Sequence, residues 1–238
     1  MSRSASHFHF KQFSIRHDQS TMKVGTDGVL LGAWADVNDV KSILDIGTGS
    51  GVIALMLAQR SATDAFIDAV EIESADTLQA RENVSLSRWP KKVHVVQSPI
   101  QDFYPGIQYD LIVSNPPYFN NSQIPPDARR VEARHTTLLS HDAMLQAVAR
   151  LLKPSGHFSV ILPYTEGHQC IALALRHDLY CVKQWNFRTR ADKPIERLLL
   201  TFSLQMTAVD HGEILLYNGD NDWSSEYRAL TRDFYLKL

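Results

Sequence analysis

The sequence predicts an α/β fold: a doubly wound, mostly parallel, seven-stranded sheet with an antiparallel hairpin at one edge. Three observations predict it. Short runs rich in branched apolar residues alternate with helix-period segments along most of the chain, the pattern of a parallel sheet covered by helices. The first run leads through a glycine-rich turn straight into a helix, as in nucleotide-binding β-α units. The last two runs have no helical pattern between them, so they pair as antiparallel neighbours. A composition of 44% hydrophobic and 21% charged residues over 238 positions supports an ordinary core and excludes global disorder or a fibrous chain.

The elements follow in order. Phe8 and Phe10, then Phe13 and Ile15, alternate with polar residues and predict a small hairpin. Thr26 and Asp27 offer an N-cap for a short helix over Gly28–Asp36, lying across the mouth of the sheet. Residues 1–40 are therefore read as an N-terminal extension, and 41–238 as the main domain. Its strands are Ser42–Ile46, Phe66–Glu71, Val93–Gln97, Tyr109–Ser114, Gly156–Leu162, Tyr180–Phe187 and Glu196–Leu204. Helices fall at Gly51–Arg60, Ala75–Ser87, His141–Leu152 and Gly167–Arg176. Lys153-Pro154-Ser155-Gly156 stops the third of these, because Pro lacks an amide donor and Gly tolerates the backbone past a helix end. Ser224 or Ser225 caps a last helix that reaches about Phe234.

Composition narrows the setting. No stretch approaches the roughly 18 consecutive apolar residues of a membrane span, and Met1 to Lys11 mixes Ser, His and Phe without an apolar signal core. Two cysteines, Cys170 and Cys181, are too few for a disulfide framework and lack zinc-site spacing. The expectation is a cytoplasmic protein, off the membrane and without a metal. A net charge of -2 excludes a surface coated in positive charge but leaves room for a local basic groove.

The turn from Ser42–Ile46 carries Gly47, Thr48, Gly49 and Gly51, where the backbone can approach a ligand closely. Glu71 ends the next strand, placed for a carboxylate that accepts hydrogen bonds from ribose hydroxyls. A dinucleotide turn reads G-x-G-x-x-G, and these glycines fall one residue short of it. Asp45 adds a charge argument. A pyrophosphate near its carboxylate would be repelled by about 4 kcal/mol per charge at 4 Å and an effective dielectric near 20, before solvent screening. S-adenosyl-L-methionine instead brings an ammonium and a sulfonium, which acidic groups on this rim attract, with its amino-acid end near Asp45 and the glycine turn.

Asn115-Pro116-Pro117-Tyr118 follows the strand Tyr109–Ser114. In a doubly wound sheet this strand end lies beside that of Ser42–Ile46, at the switch point where ligands bind. An amino group on an aromatic ring or carbonyl is a poor nucleophile because its lone pair is delocalised. Two acceptors aimed at its N–H bonds, the Asn115 side-chain oxygen and the Pro116 carbonyl, favour rehybridisation as a methyl group arrives. Pro116 and Pro117 stiffen the loop, and Tyr118 offers a flat stacking face.

With both motifs placed, the chain resembles the class I, Rossmann-like methyltransferases that use S-adenosylmethionine to methylate planar nitrogens. Met22–Trp34, Arg188–Pro194 and Leu230–Leu238 resemble more narrowly the bacterial tRNA (adenine-N6)-methyltransferases that act on adenosine 37 of a valine tRNA. That resemblance implies a tRNA substrate, and a segment containing Lys23, Thr26 and Asp27 that closes over the methionine end of the cofactor. It also implies an acidic group at the cofactor adenine after the third strand, where this chain has Pro99. Asp102 or the backbone near Ile100 takes that place in this chain, with Ile72 beside Glu71.

Arg129, Arg130, Arg134 and His135 lie beyond Tyr118, and Arg188, Arg190, Lys193 and Arg197 flank the terminal hairpin. Basic residues so placed can hold a phosphate backbone while a base is flipped toward Tyr118; the same residues also suit a solvated face. Methylation of a protein glutamine amide poses the same lone-pair problem, so it stays open beside tRNA adenine, as does methylation of a DNA or rRNA base.

Overall fold

The computed structural model describes residues 7–18, 20, 23–117 and 140–237. A hairpin of β1 (His7–His9) and β2 (Ser14–Arg16) precedes α1 (Thr26–Trp34). Next come β3 (Ser42–Ile46), α2 (Val52–Arg60), β4 (Phe66–Glu71), α3 (Ser74–Ser85), β5 (Val93–Gln97) and β6 (Tyr109–Ser114). The second half holds α4 (His141–Leu151), β7 (Leu152–Pro163), α5 (Tyr164–Ala174), β8 (Tyr180–Arg188), β9 (Arg197–Ser203), β10 (Asp210–Leu215) and α6 (Ser225–Thr231).

Among the described residues the main sheet has eight strands, ordered β10-β8-β9-β7-β6-β3-β4-β5. β3 pairs in parallel with β4 on one side and β6 on the other, so the winding reverses there and a ligand crevice opens at the strands' C-terminal edge. β9 runs antiparallel to both β7 and β8. One core forms where α1 and α2 meet one face of the sheet, and a second where α4 and α5 meet the other.

Three expectations are corrected. The eighth strand, β10, pairs in parallel with β8; as an edge strand it buries fully only Ile214 and so lacks the apolar run that betrays an inner strand. Gly212 is required in it, since a Cβ there would come within 2.4 Å of the Trp185 ring. β7 begins at Leu152 and not at Gly156, because Lys153–Gly156 are absorbed in an irregularity opposite Tyr109–Leu111, where Pro154 is tolerated. α1 starts at Thr26, capped by Gly25, and ends at Trp34. Asp27 does not cap it, because its carboxylate is turned to Arg197.

The elements of residues 7–40 share the core of the main sheet. Phe10, Phe13 and Ile15 and all of Val29–Leu31 are buried with α2 and β3. α1 buries seven of its nine residues and lies so close to α2 that a Cβ on Gly32 would come within 2.8 Å of Met56. At the other end Ser224 caps α6 through the Tyr227 amide, as expected, and Phe10 bridges to Tyr235.

Candidate active site

Gly47, Gly49 and Gly51 adopt φ of 70°, 55° and 84°, a region that other L-residues enter only with strain. A Cβ at Gly47 or Gly49 would meet nothing within 4 Å, so the turn presents bare backbone to open space. Gly51 serves the helix instead, capping α2 in the left-handed conformation; a Cβ on it would come within 3.5 Å of Ala80.

Glu71 is 7% exposed and holds the turn. Its Oε2 accepts from the Gly49 amide at 2.8 Å, and its Oε1 from the amides of Ile72 and Glu73 at 2.8 and 3.0 Å. Burial raises its carboxyl above the ordinary range, against the downward pull of these amides. Oε2 retains one lone pair for a further donor.

Asp45 lies beneath the turn, at 0% exposure, and does not line the cleft above it. Thr48 Oγ1 donates to its Oδ2 at 2.6 Å, and its Oδ1 has no hydrogen-bond partner among the described residues. Burial pushes this carboxyl up to about 7, despite the Thr48 hydroxyl and the Ala54 amide. The carboxyl expected at the amino-acid end of a ligand is thus a buried group beneath the turn. The titration has a consequence for stability. The folded protein keeps a proton that the unfolded chain releases near the ordinary value of 3.8, so stability present below that pH is lost as pH rises toward about 7. Asp45→Asn removes the titration, and its urea midpoint should fall less than that of the parent between those pH values; equal falls would clear Asp45 as the cause.

Above the turn lies a cleft of about 360 Å³. One wall is Gly47–Ser50 with Lys23, Gly25, Thr26, Asp27 and Gly28, the approach to α1 and its first turn. The other is Phe187, Thr189, Glu196, Arg197 and Leu216, at the ends of β8, β9 and β10. Asn115 follows β6, which the strand order places between them, and it also lines the cleft. Ser114 Oγ donates to the Ile46 carbonyl at 2.9 Å, tying the end of β6 to the start of the glycine turn. An ion pair of 2.8 Å between Arg197 Nε and Asp27 Oδ2 joins the two walls.

The remaining expected residues divide clearly. Ile72 is exposed, Ile100 is buried with its carbonyl accepting from Arg150 at 3.2 Å, and Asp102 is exposed; none lines the cleft. They follow β4 and β5, where the Ser98 amide donates to the Glu71 carbonyl at 3.0 Å. Arg188 is engaged along the sheet surface: Nη1 donates to the carbonyls of Ala191 and Lys193 at 3.2 and 3.1 Å, and Nη2 pairs with Glu213 at 2.7 Å. It braces the hairpin turn. Arg190 is held by Asn221 and lies 5.8 Å over the Tyr217 ring, while Lys193 is exposed. Pro116 and Pro117 directly follow Asn115; Tyr118, Arg129, Arg130, Arg134 and His135 lie outside the described residues.

The sequence reading missed Phe187, Thr189, Glu196 and Leu216 as a wall of the site, and placed Arg197 only among the basic residues of the hairpin. Their signal was the antiparallel hairpin itself, whose ends return to the edge that carries Asn115. Among the described residues no cluster of three or more His, Cys, Asp or Glu could hold a metal ion, and no helix is long and apolar enough to cross a membrane.

Comparison with known proteins bears on this cleft. A family model described as methyltransferase small domain matches residues 20–173. A protein of Aeromonas hydrophila, 46% identical over 97% of this chain and 98% of its own length, is described as tRNA1(Val) (adenine(37)-N6)-methyltransferase. One of Bacteroides thetaiotaomicron, 44% identical over 97% of this chain and 98% of its own, carries the same description. In fold the chain is similar to a predicted O-methyltransferase from Agrobacterium tumefaciens, with a TM-score of 0.66 at 15% identity over 87% of this chain and 96% of that one.

Proposed function

The chain belongs to the methyltransferase small domain family, and on that premise we infer that it transfers a methyl group from S-adenosylmethionine to the N6 amino group of adenosine 37 in a valine tRNA. The observation that carries the reading is the place of Asn115, in one cleft with the glycine turn, at the end of a strand that lies between that turn and the wall from β8, β9 and β10. The near full-length relatives supply the identity of that acceptor.

The site fits the cofactor on its own chemistry. Gly47 and Gly49 leave a cradle that a Cβ would fill, and Glu71 keeps a lone pair for a ribose hydroxyl. Lys23, Thr26 and Asp27 would hold the methionine end; Ile72, Ile100 and Asp102, beyond Glu71, would border the adenine. When bound, the sulfonium supplies an electrophilic methyl group.

The chain's own residues do the rest. Asn115 Oδ1 and the Pro116 carbonyl accept from the two N–H bonds of the target amine, orienting its lone pair and stabilising the positive charge that grows on the nitrogen. Pro116 and Pro117 hold φ near −65°, so both acceptors stay aimed. No base is required in the transfer step, because the proton leaves after the cationic product forms. Tyr118 would stack on the base, and Arg129, Arg130, Arg134, His135, Arg190 and Lys193 would hold flanking phosphates. A tRNA substrate sets the place of work in the cytoplasm.

The test is transfer of labelled methyl from S-adenosylmethionine into separate pools of unmodified tRNA, DNA and protein. Label recovered as N6-methyladenosine from tRNA alone is the expected outcome. Label on protein glutamine or in DNA would replace the substrate while leaving the cofactor reading in place.

A further inference from the structure

Glu71, Ile72 and Ile100 follow or end β4 and β5, on the far side of β3 from β6. A cofactor lying across the glycine turn therefore extends toward β4 and β5. The half of the cleft from Asn115 toward β9, β8 and β10 faces the other way and is left to the acceptor.

That half has the make-up of a base pocket. Phe187, 3% exposed, and the half-buried Leu216 supply apolar surface, and three polar side chains join them. Two of the three are engaged by neighbours. Arg197 Nε donates to Asp27 at 2.8 Å and its Nη1 to the Glu196 carbonyl at 3.0 Å, while Glu196 Oε1 accepts from the Thr189 amide at 3.3 Å. The hydroxyl of Thr189 makes no hydrogen bond among the described residues. Its backbone is held at both ends, by Glu196 at the amide and by the Tyr217 amide, which donates to its carbonyl at 3.0 Å. The chain leaving β10, the strand beyond the seven expected, thus keeps this residue in place.

Adenine presents its N6 amine and the N1 acceptor side by side on one edge. With the amine held by Asn115, N1 needs a donor from elsewhere in the cleft. We propose that the ends of β8, β9 and β10 form the acceptor-base wall and that the Thr189 hydroxyl donates to N1 of the target adenine. Thr189 is thereby a substrate-contacting, specificity-determining residue. The proposal rests on the adenine reading above and deepens it.

A valine tRNA ligated from synthetic halves, with adenosine or 1-deazaadenosine at position 37, separates the possibilities. The hydrogen bond predicts that the parent enzyme loses about tenfold in kcat/KM on the deaza substrate. Thr189→Val should lose about as much on adenosine, lose nothing further on 1-deazaadenosine, and keep its dissociation constant for S-adenosylmethionine; Thr189→Ser should recover most of the rate. A Thr189→Val enzyme as active as the parent overturns the proposal, and so does an equal deaza penalty in both enzymes. If the parent methylates neither RNA, the adenine reading itself falls and carries this proposal with it.

Discussion

Asn115→Ala should lower the single-turnover rate by about 10²–10³-fold or more while leaving the affinity for S-adenosylmethionine almost unchanged. The expectation follows from where the charge develops. The amine nitrogen is close to neutral before transfer and cationic after it, so an acceptor aimed at its N–H bonds is worth most in the transition state. Asn115 lines the cleft between the glycine turn and the far wall and sits at the end of β6, which Ser114 ties to β3 at 2.9 Å. The turn that would hold the cofactor makes its own contacts through Glu71 and Val70, at 2.8 and 2.9 Å. Calorimetric titration with the cofactor, alongside a quenched single-turnover assay, separates the two quantities. A variant that keeps its rate would remove Asn115 from the chemistry; one that loses cofactor affinity in proportion to rate would make it a binding residue only.

Glu71→Ala should have the opposite signature, raising the cofactor dissociation constant by about tenfold or more and also lowering stability. One carboxylate satisfies three backbone amides, those of Gly49, Ile72 and Glu73. Removing it leaves half-buried donors without an acceptor, a cost of about 1–3 kcal/mol, and frees a turn whose glycines have no side chains to hold them. The ribose also loses its partner. Glu71→Gln retains one acceptor oxygen and should fall between the two in both measurements. A Glu71→Ala protein with a lowered urea midpoint but an unaltered dissociation constant would reduce Glu71 to a brace for the turn.

Much of this was legible in the chain because local patterns and tertiary demands agree there. The ends of β3, β4, β5 and β6 fall where the apolar runs stop: β3, β4 and β6 are inner strands buried largely on both faces, β5 is an edge strand with alternating burial, and the polar residues that follow are the loops. The glycine turn was legible for the same reason: only glycine suits three successive left-handed positions at such spacing. Depth was not legible. Asp45 reads as a carboxylate at the rim, yet the pleat turns it under α2, where Thr48 is its partner. Arg188 reads as one basic residue of a cluster, but Glu213, on the polar edge strand that the pattern does not reveal, pairs with it. The far wall of the cleft arises from long-range antiparallel pairing, which brings Arg197 and Glu196 back beside Asn115 from 81 or more residues away, and no local pattern carries that information.

The central claim is that this cleft delivers a methyl group to an exocyclic amine held at Asn115. The most direct measurement uses two ligated valine tRNAs, one with adenosine at position 37 and one with purine riboside, which lacks the amine, each incubated with the enzyme and labelled S-adenosylmethionine. The account predicts label in the first, released on digestion as N6-methyladenosine at position 37, and none at that position in the second. Equal labelling of both RNAs, or label in neither while another macromolecule accepts it, would contradict the account.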